Sequence, residues 1–99
     1  MDISSVHIAS KRIIGKSGSA DVHELVTKGG LYLVVKREGA KSTILGTGPH
    51  RAIARHIAEK NEPKMLITTL SKSDQLDVRA MASHLPRWIE FTNQLRARG

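Results

Sequence analysis

Residues 46–58 read GTGPHRAIARHIA, and this stretch decides the fold because it joins a strand to a helix. The glycines at 46 and 48 predict a turn, and Pro49 fits the first position of a helix, where its missing N–H costs nothing. Apolar residues then recur at helical spacing from residue 53 to residue 58, which predicts a helix with one buried stripe that ends near Lys60. Unpaired N–H groups at the start of such a helix favour an anion.

Three strands are predicted before this helix. Residues 22–27 and 31–37 are rich in β-branched and large apolar residues, and Gly29-Gly30 between them is a signal for a tight hairpin. Residues 42–45 predict the next strand, so the three form an antiparallel meander.

The second strand of the meander alternates between two faces. Leu31, Leu33 and Val35 share one of them, and we expect that face to pack on a helix.

The N-terminal region is weakly patterned. Residues 6–8 and 13–14 predict a short strand region, and residues 15–19 predict a flexible loop because glycine and serine predominate there. We therefore expect residues 1–20 to be loosely ordered.

The C-terminal third predicts one more strand and further helix. Residues 65–70 indicate a strand, and the serines before Asp74 predict a capped helix with Leu76 on its apolar side. Pro86 predicts a kink or break, after which residues 87–98 carry an apolar stripe at helical spacing.

Together these elements predict one α+β domain over residues 1–99. A small antiparallel sheet, made of a three-stranded meander plus one or two further strands, packs against two or three helices. The predicted order is β-β-β-β-α-β-α-α.

Composition favours an anionic partner. Sixteen Lys and Arg against nine Asp and Glu give a net charge of +7, which favours association with a polyanion such as DNA or RNA.

There is no cysteine, so disulfides, thiolate metal sites and a cysteine nucleophile are excluded. No apolar run approaches the ~20 residues of a membrane span and the first residues lack a secretion signal, so we expect a cytoplasmic protein with no membrane partner.

Seven basic residues are the candidate nucleic-acid contacts, with His50, Arg51 and Arg55 on the helix that begins at Pro49 carrying the strongest hypothesis. The full set is Lys36, Arg37, Lys41, His50, Arg51, Arg55 and Lys60.

The order of a meander, a Gly-x-Gly turn and a helix with basic residues and alanines resembles the second half of double-stranded RNA-binding domains. The resemblance covers residues 22–59. It implies that the helix N-terminus lies over phosphates, with Arg51 and Arg55 in the contacting role. That family opens with a helix, whereas residues 1–20 here are strand-like or loose, and its lysines at the helix start are replaced by Pro49-His50-Arg51-Ala52.

The alternative function is a protein-interaction or adaptor module, monomeric or homodimeric. It would use an open sheet edge or the C-terminal helix, where Trp88 and Phe91 are candidate interface anchors. Core packing of the two rings is the competing interpretation.

Enzymatic chemistry has little support. A phosphate-binding loop at Gly15-Lys16-Ser17 would need glycine at position 10, where Ser10 stands, and a helix after Ser17. The five histidines lack metal-ligand spacing, and no nucleophile elbow or paired-acid motif is present. We therefore predict no catalytic residue, no metal and no cofactor. A catalytic pocket gathered from distant segments is the third hypothesis.

Overall fold

The computed structural model describes residues 7–98, which form one antiparallel sheet of five strands and, in addition, three helices. The strands are β1 (Ile8–Ser17), β2 (Ala20–Thr27), β3 (Tyr32–Glu38), β4 (Lys41–Gly48) and β5 (Leu66–Ile67). The helices are α1 (Arg51–Asn61), α2 (Lys72–Ala80) and α3 (Leu85–Arg98), with a 3-10 turn at Ala82–His84 between the last two. The predicted α+β class and element order are confirmed.

The strand order is β4-β3-β2-β1-β5, so the first four strands form one continuous meander. Its three tight turns contain Gly18, Gly30 and Gly39, each with a positive φ that suits glycine. β5 pairs antiparallel only with Gly15 and Lys16 of β1. It is therefore much shorter than the strand predicted over residues 65–70.

The N-terminal region differs from the prediction. β1 is a continuous strand from Ile8 to Ser17 with two register shifts against β2, so the flexible loop expected over residues 15–19 is reduced to a turn at Gly18 and Ser19. Loose order is therefore wrong for β1. The part of that prediction that concerns residues 1–6 lies outside the described residues.

The main core lies between the sheet and α1. Val34 and Leu45 of the sheet pack with Ala54 and Ala58 of α1, and all four are at most 1 % exposed. Leu33 and Val35, which point to the opposite face of β3, belong to a second buried cluster. The expectation that this face packs on a helix is met by α3, because Thr92 of α3 contacts Thr47, which pairs with Leu33. The first helix, α1, packs on the opposite face, where Val34 lies.

The glycines of β4 set the distance between the sheet and α1. A Cβ on Gly46 would stand 2.0 Å from the Ala54 carbonyl oxygen, and one on Gly48 would stand 2.7 Å from Ile53. Both glycines lie within the strand and not in a turn. Pro49 precedes the helix cap, because His50 is the N-cap and α1 begins at Arg51. The prediction of Pro49 as the first helical residue is therefore wrong by two positions.

The C-terminal helices are held unequally. α2 is capped by Ser71, as predicted. It has no buried residue and Leu76 is 62 % exposed, so the prediction that Leu76 lies on a side of the helix that packs on the core is wrong. The helical structure is interrupted before Pro86, as predicted, and the helix that follows, α3, lies against β4.

A buried hydroxyl pair joins α3 to the sheet. Thr47 and Thr92 are both fully buried, with 2.7 Å between their Oγ1 atoms. Because Thr92 donates its proton to the Trp88 carbonyl oxygen, Thr47 is the donor in this pair. Within residues 7–98, no helix combines the length and the apolar character that crossing a membrane requires.

Candidate nucleic-acid interface

A buried carboxylate gathers three arginines at the start of α1. Glu24 on β2 is 2 % exposed, and its Oε1 accepts hydrogen bonds from Nε of Arg12 at 3.2 Å and from Nε of Arg51 at 3.0 Å. Its Oε2 accepts from Nε of Arg55 at 3.1 Å. We call these four residues the Glu24 cluster. Three guanidinium groups around one carboxylate leave an excess of two positive charges.

Arg55 is the internal member of the Glu24 cluster. Its side chain is 2 % exposed, and Nη1 also donates to the carbonyl oxygen of Thr68 at 2.8 Å and to the Thr68 hydroxyl at 3.2 Å. A guanidinium enclosed in this way presents no donor to a phosphate in solvent. The prediction that Arg55 lies on the solvated basic side of α1 is therefore wrong: the carboxylate of Glu24 draws it inward, because a buried charge needs a partner.

Arg12 and Arg51 are the outer members of the cluster. Their side chains are 55 % and 36 % exposed. Each bonds Glu24 through Nε, and over residues 7–98 neither guanidinium makes a further hydrogen bond. Their Nη groups are thus the donors that an anion can reach. Arg51 was predicted as a contact, whereas Arg12 was not, because nothing local in β1 shows that it lies opposite Glu24.

An aromatic residue borders Arg51. The guanidinium carbon of Arg51 stands 5.9 Å from the ring centre of Tyr32, and the Tyr32 and His50 rings stack with 6.3 Å between centres. His50 caps α1, because its Nδ1 accepts a hydrogen bond from the Ala52 N–H. These contacts restrict Arg51 and His50 to one arrangement.

His50 also reaches α2. Its Nε2 stands 3.0 Å from Oδ2 of Asp77, and Asp74 lies close enough for the three residues to surround a metal ion. The helix cap decides whether His50 donates a hydrogen bond to Asp77 or binds a metal ion. Nδ1 accepts from the Ala52 N–H and carries no proton in the neutral ring, so Nε2 carries the proton and donates to Asp77. A metal on Nε2 would move that proton to Nδ1 and break the cap, so the geometry favours a polar link between α1 and α2.

The other predicted contacts lie at the far end of α1. Arg37, Lys41 and Lys60 are exposed. Lys36 is 24 % exposed and forms an ion pair with Glu62, whose hydrogen bond raises the pKa of Lys36. Along α1, Arg51 and Lys60 are separated by about 14 Å at 1.5 Å per residue. The seven predicted residues therefore do not converge on one surface, and the structure divides them between the two ends of α1.

The two aromatic residues of α3 contact each other. The ring centres of Trp88 and Phe91 lie 5.5 Å apart with a nearly perpendicular arrangement, and both residues are partly buried. Partial burial serves packing and still leaves part of each ring accessible. Their role as interface anchors stays a prediction.

A groove of about 430 Å³ lies between α1, the segment after β5 and α2. Its titratable lining residues are His56 and Glu59, which are neighbours on α1. The groove does not gather acids and histidines from distant segments, which is what the catalytic hypothesis requires of a pocket.

Comparison with family models, curated proteins and solved structures finds no match to this chain. The resemblance to double-stranded RNA-binding domains is limited to the element order of residues 22–59. Where that family has its first helix, the described residues form β1, and of the two arginines in the implied contacting role only Arg51 is accessible.

Proposed function

We propose that this protein binds nucleic acid and contacts the phosphate backbone through Arg12 and Arg51. The observation that carries the proposal is the Glu24 cluster, in which one carboxylate positions two partly exposed guanidinium groups and leaves them with excess positive charge. Guanidinium groups donate two parallel hydrogen bonds to a phosphate, which makes arginine the preferred phosphate contact.

Pre-organisation supports the proposal. A free arginine loses side-chain entropy when it binds, whereas Arg12 and Arg51 are already held at Nε by Glu24, and Arg51 also lies over Tyr32. The first turn of α1 contains no acidic residue, so the positive end of the helix dipole adds to the same field. The net charge of +7 then steers a polyanion to the surface.

The test is binding of fluorescent DNA and RNA oligonucleotides, single- and double-stranded, followed by anisotropy over a salt series. Affinity is expected to fall steeply between low and moderate salt, because phosphate contacts release counterions. Arg12→Gln and Arg51→Gln are each expected to weaken binding. Together they are expected to reduce the slope of log K against log salt by about 1.4–1.8, which corresponds to two phosphates.

Lys41→Gln is the matched control, because it removes the same charge from an exposed position at the far end of the sheet. An equal effect of Lys41→Gln and Arg51→Gln would indicate diffuse attraction and contradict a localised contact. Failure of the wild-type protein to bind any of the oligonucleotides at low salt would overturn the proposed function.

A further inference from the structure

β1 presents an open edge. β2 pairs with it on one side, but on the other side β5 covers only Gly15 and Lys16, and Thr68 N–H adds one bond to the Ile14 carbonyl. Among residues 7–98, no strand lies beside the segment from Ile8 to Ile13. Every residue from 7 to 13 is exposed. Its outward N–H and C=O groups are therefore available to another strand.

The side chains of this edge are partly apolar. Ile13 is 60 % exposed and Ile8 is 38 % exposed, so they are two of the exposed large apolar residues of the described chain. Charged side chains and register shifts, both present in β1, protect an edge strand from indiscriminate pairing. The open backbone and the two solvated isoleucines nevertheless leave room for a partner strand whose charges complement those of β1.

The positive charge of β1 indicates which kind of strand would pair with its open edge. β1 carries Lys11, Arg12 and Lys16 and contains no acidic residue. A second copy paired through residues 8–13 would bring four positive side chains together, Lys11 and Arg12 of each copy, and like charges on neighbouring strands destabilise pairing. A segment with acidic residues would neutralise them.

We propose that the outer edge of β1 binds an extended acidic segment of a partner protein as an added strand. Backbone hydrogen bonds to the segment between Ile8 and Ile13 hold the partner, its carboxylates lie against Lys11 and Arg12, and its apolar residues cover Ile13. Register shifts at Ile8/Ser10 and Ile13/Gly15 bound the regular part of the edge, so the strongest pairing involves residues 10–13. The proposal does not depend on nucleic-acid binding.

The probe is the peptide Val-Val-Glu-Glu-Val-Val, whose adjacent glutamates serve the two faces on which Lys11 and Arg12 lie, with Val-Val-Lys-Lys-Val-Val as its counterpart. We expect the acidic peptide to bind and to protect the outward-facing backbone amides of residues 8–13 from hydrogen exchange. N-methylation of alternate peptide nitrogens on the pairing side removes its ladder donors without changing charge, and it is expected to abolish that protection.

Two charge reversals at exposed lysines separate this edge from general attraction. Lys11→Glu is expected to weaken the acidic peptide about tenfold more than Lys41→Glu, which makes the same change away from β1. Arg51→Gln is expected to leave peptide binding intact while it weakens oligonucleotides, so the two proposals fail separately.

Three outcomes would overturn the inference. One is equal binding of the N-methylated and unmodified peptides, because charge alone would then explain the affinity. Another is equal effects of Lys11→Glu and Lys41→Glu. The third is a dimer of the protein alone with protected amides at residues 8–13, which would assign the edge to a second copy.

Discussion

Glu24 controls the chemistry of its surroundings at the scale of single residues. A buried carboxylate is costly unless it is paired, and here it meets three guanidinium groups. Arg55 in turn is buried only because Glu24 and Thr68 occupy its donors. The same carboxylate thus stabilises the interior and fixes the two outer arginines at the surface.

Replacing Glu24 by Gln is expected to reduce the free energy of unfolding by about 3–5 kcal/mol, because Arg55 would keep a buried charge without its counter-ion. Urea denaturation measures the loss. Arg12→Gln removes a partner that is 55 % exposed, and it is expected to change stability by less than about 1 kcal/mol. A Glu24→Gln protein as stable as the Arg12→Gln protein would show that Thr68 alone satisfies Arg55.

Sequence reasoning found only part of the Glu24 cluster. Arg51 was predicted as a candidate contact because its place at a helix start is visible in the local sequence. Arg55 was misplaced, since helical spacing gives the direction of a side chain but not the acid that faces it. Glu24 shares a face of β2 with Val22 and Val26, so strand alternation places it on an apolar side. An acid is rarely buried without a charged partner, and the sequence does not show which arginines meet it.

At the scale of elements, a bulge decides which residue faces Glu24. Counting back from the β1–β2 turn in regular register, Ser17 faces Ala20 and Glu24 would face Ile13. The register shift between Ile13 and Gly15 moves Arg12 into that position instead. A bulge of this kind has no clear signature in the sequence, so the position of Arg12 was unpredictable although the hairpin itself is marked by Gly18.

The element order was predictable because the residues that begin and end the strands and helices act locally in the sequence. The turn glycines, the Ser71 cap and Pro86 each act within a few residues of their own position, and each lies at a boundary of the observed elements. The partners of the elements are set by tertiary contacts. For this reason the burial of β3 on both faces, the exposure of Leu76 and the length of β5 were not predicted.

The contact of β4 with α1 depends on Gly46. Gly46→Ala is expected to destabilise the fold by about 3 kcal/mol or more, because the new Cβ would overlap the backbone of α1 at Ala54 and Ala58. The midpoint of urea denaturation reports the change. Gly29→Ala is the control, since the nearest atom to its Cβ is Thr27 Oγ1 at 3.8 Å. Similar midpoints for the two variants would mean that α1 shifts away from β4 at little cost.

At the scale of the whole molecule, charge is distributed along the axis of α1. The Glu24 cluster carries excess positive charge at the N-terminal end of the helix, whereas Lys36 is neutralised by Glu62 next to the C-terminal end. The two ends therefore differ in role. One carries the two outer arginines of the Glu24 cluster, and the other uses an ion pair to hold the helix on the sheet.

That ion pair makes stability depend on pH. The hydrogen bond from Lys36 holds the pKa of Glu62 below its ordinary value of 4.5, so the folded protein binds the Glu62 proton less readily than the unfolded chain does. The stabilisation is therefore present above pH 4.5 and is lost as pH falls through the pKa of the folded state. The raised pKa of Lys36 places the corresponding loss on the alkaline side, above its ordinary value of 10.5.

Glu62→Gln is expected to lower stability by about 1–2 kcal/mol at neutral pH, since it removes a hydrogen bond between two charged groups that are only about one-fifth exposed. Urea denaturation across the acid range is expected to show the difference from wild type narrowing below pH 4.5, because the wild-type carboxylate is then protonated. Lys36→Gln removes the other member of the ion pair. The double variant is expected to lose less free energy of unfolding than the sum of the losses of the two single variants. Wild-type and Glu62→Gln curves that stay parallel below pH 4.5 would instead show that the Lys36–Glu62 ion pair does not cause the acid sensitivity of the fold.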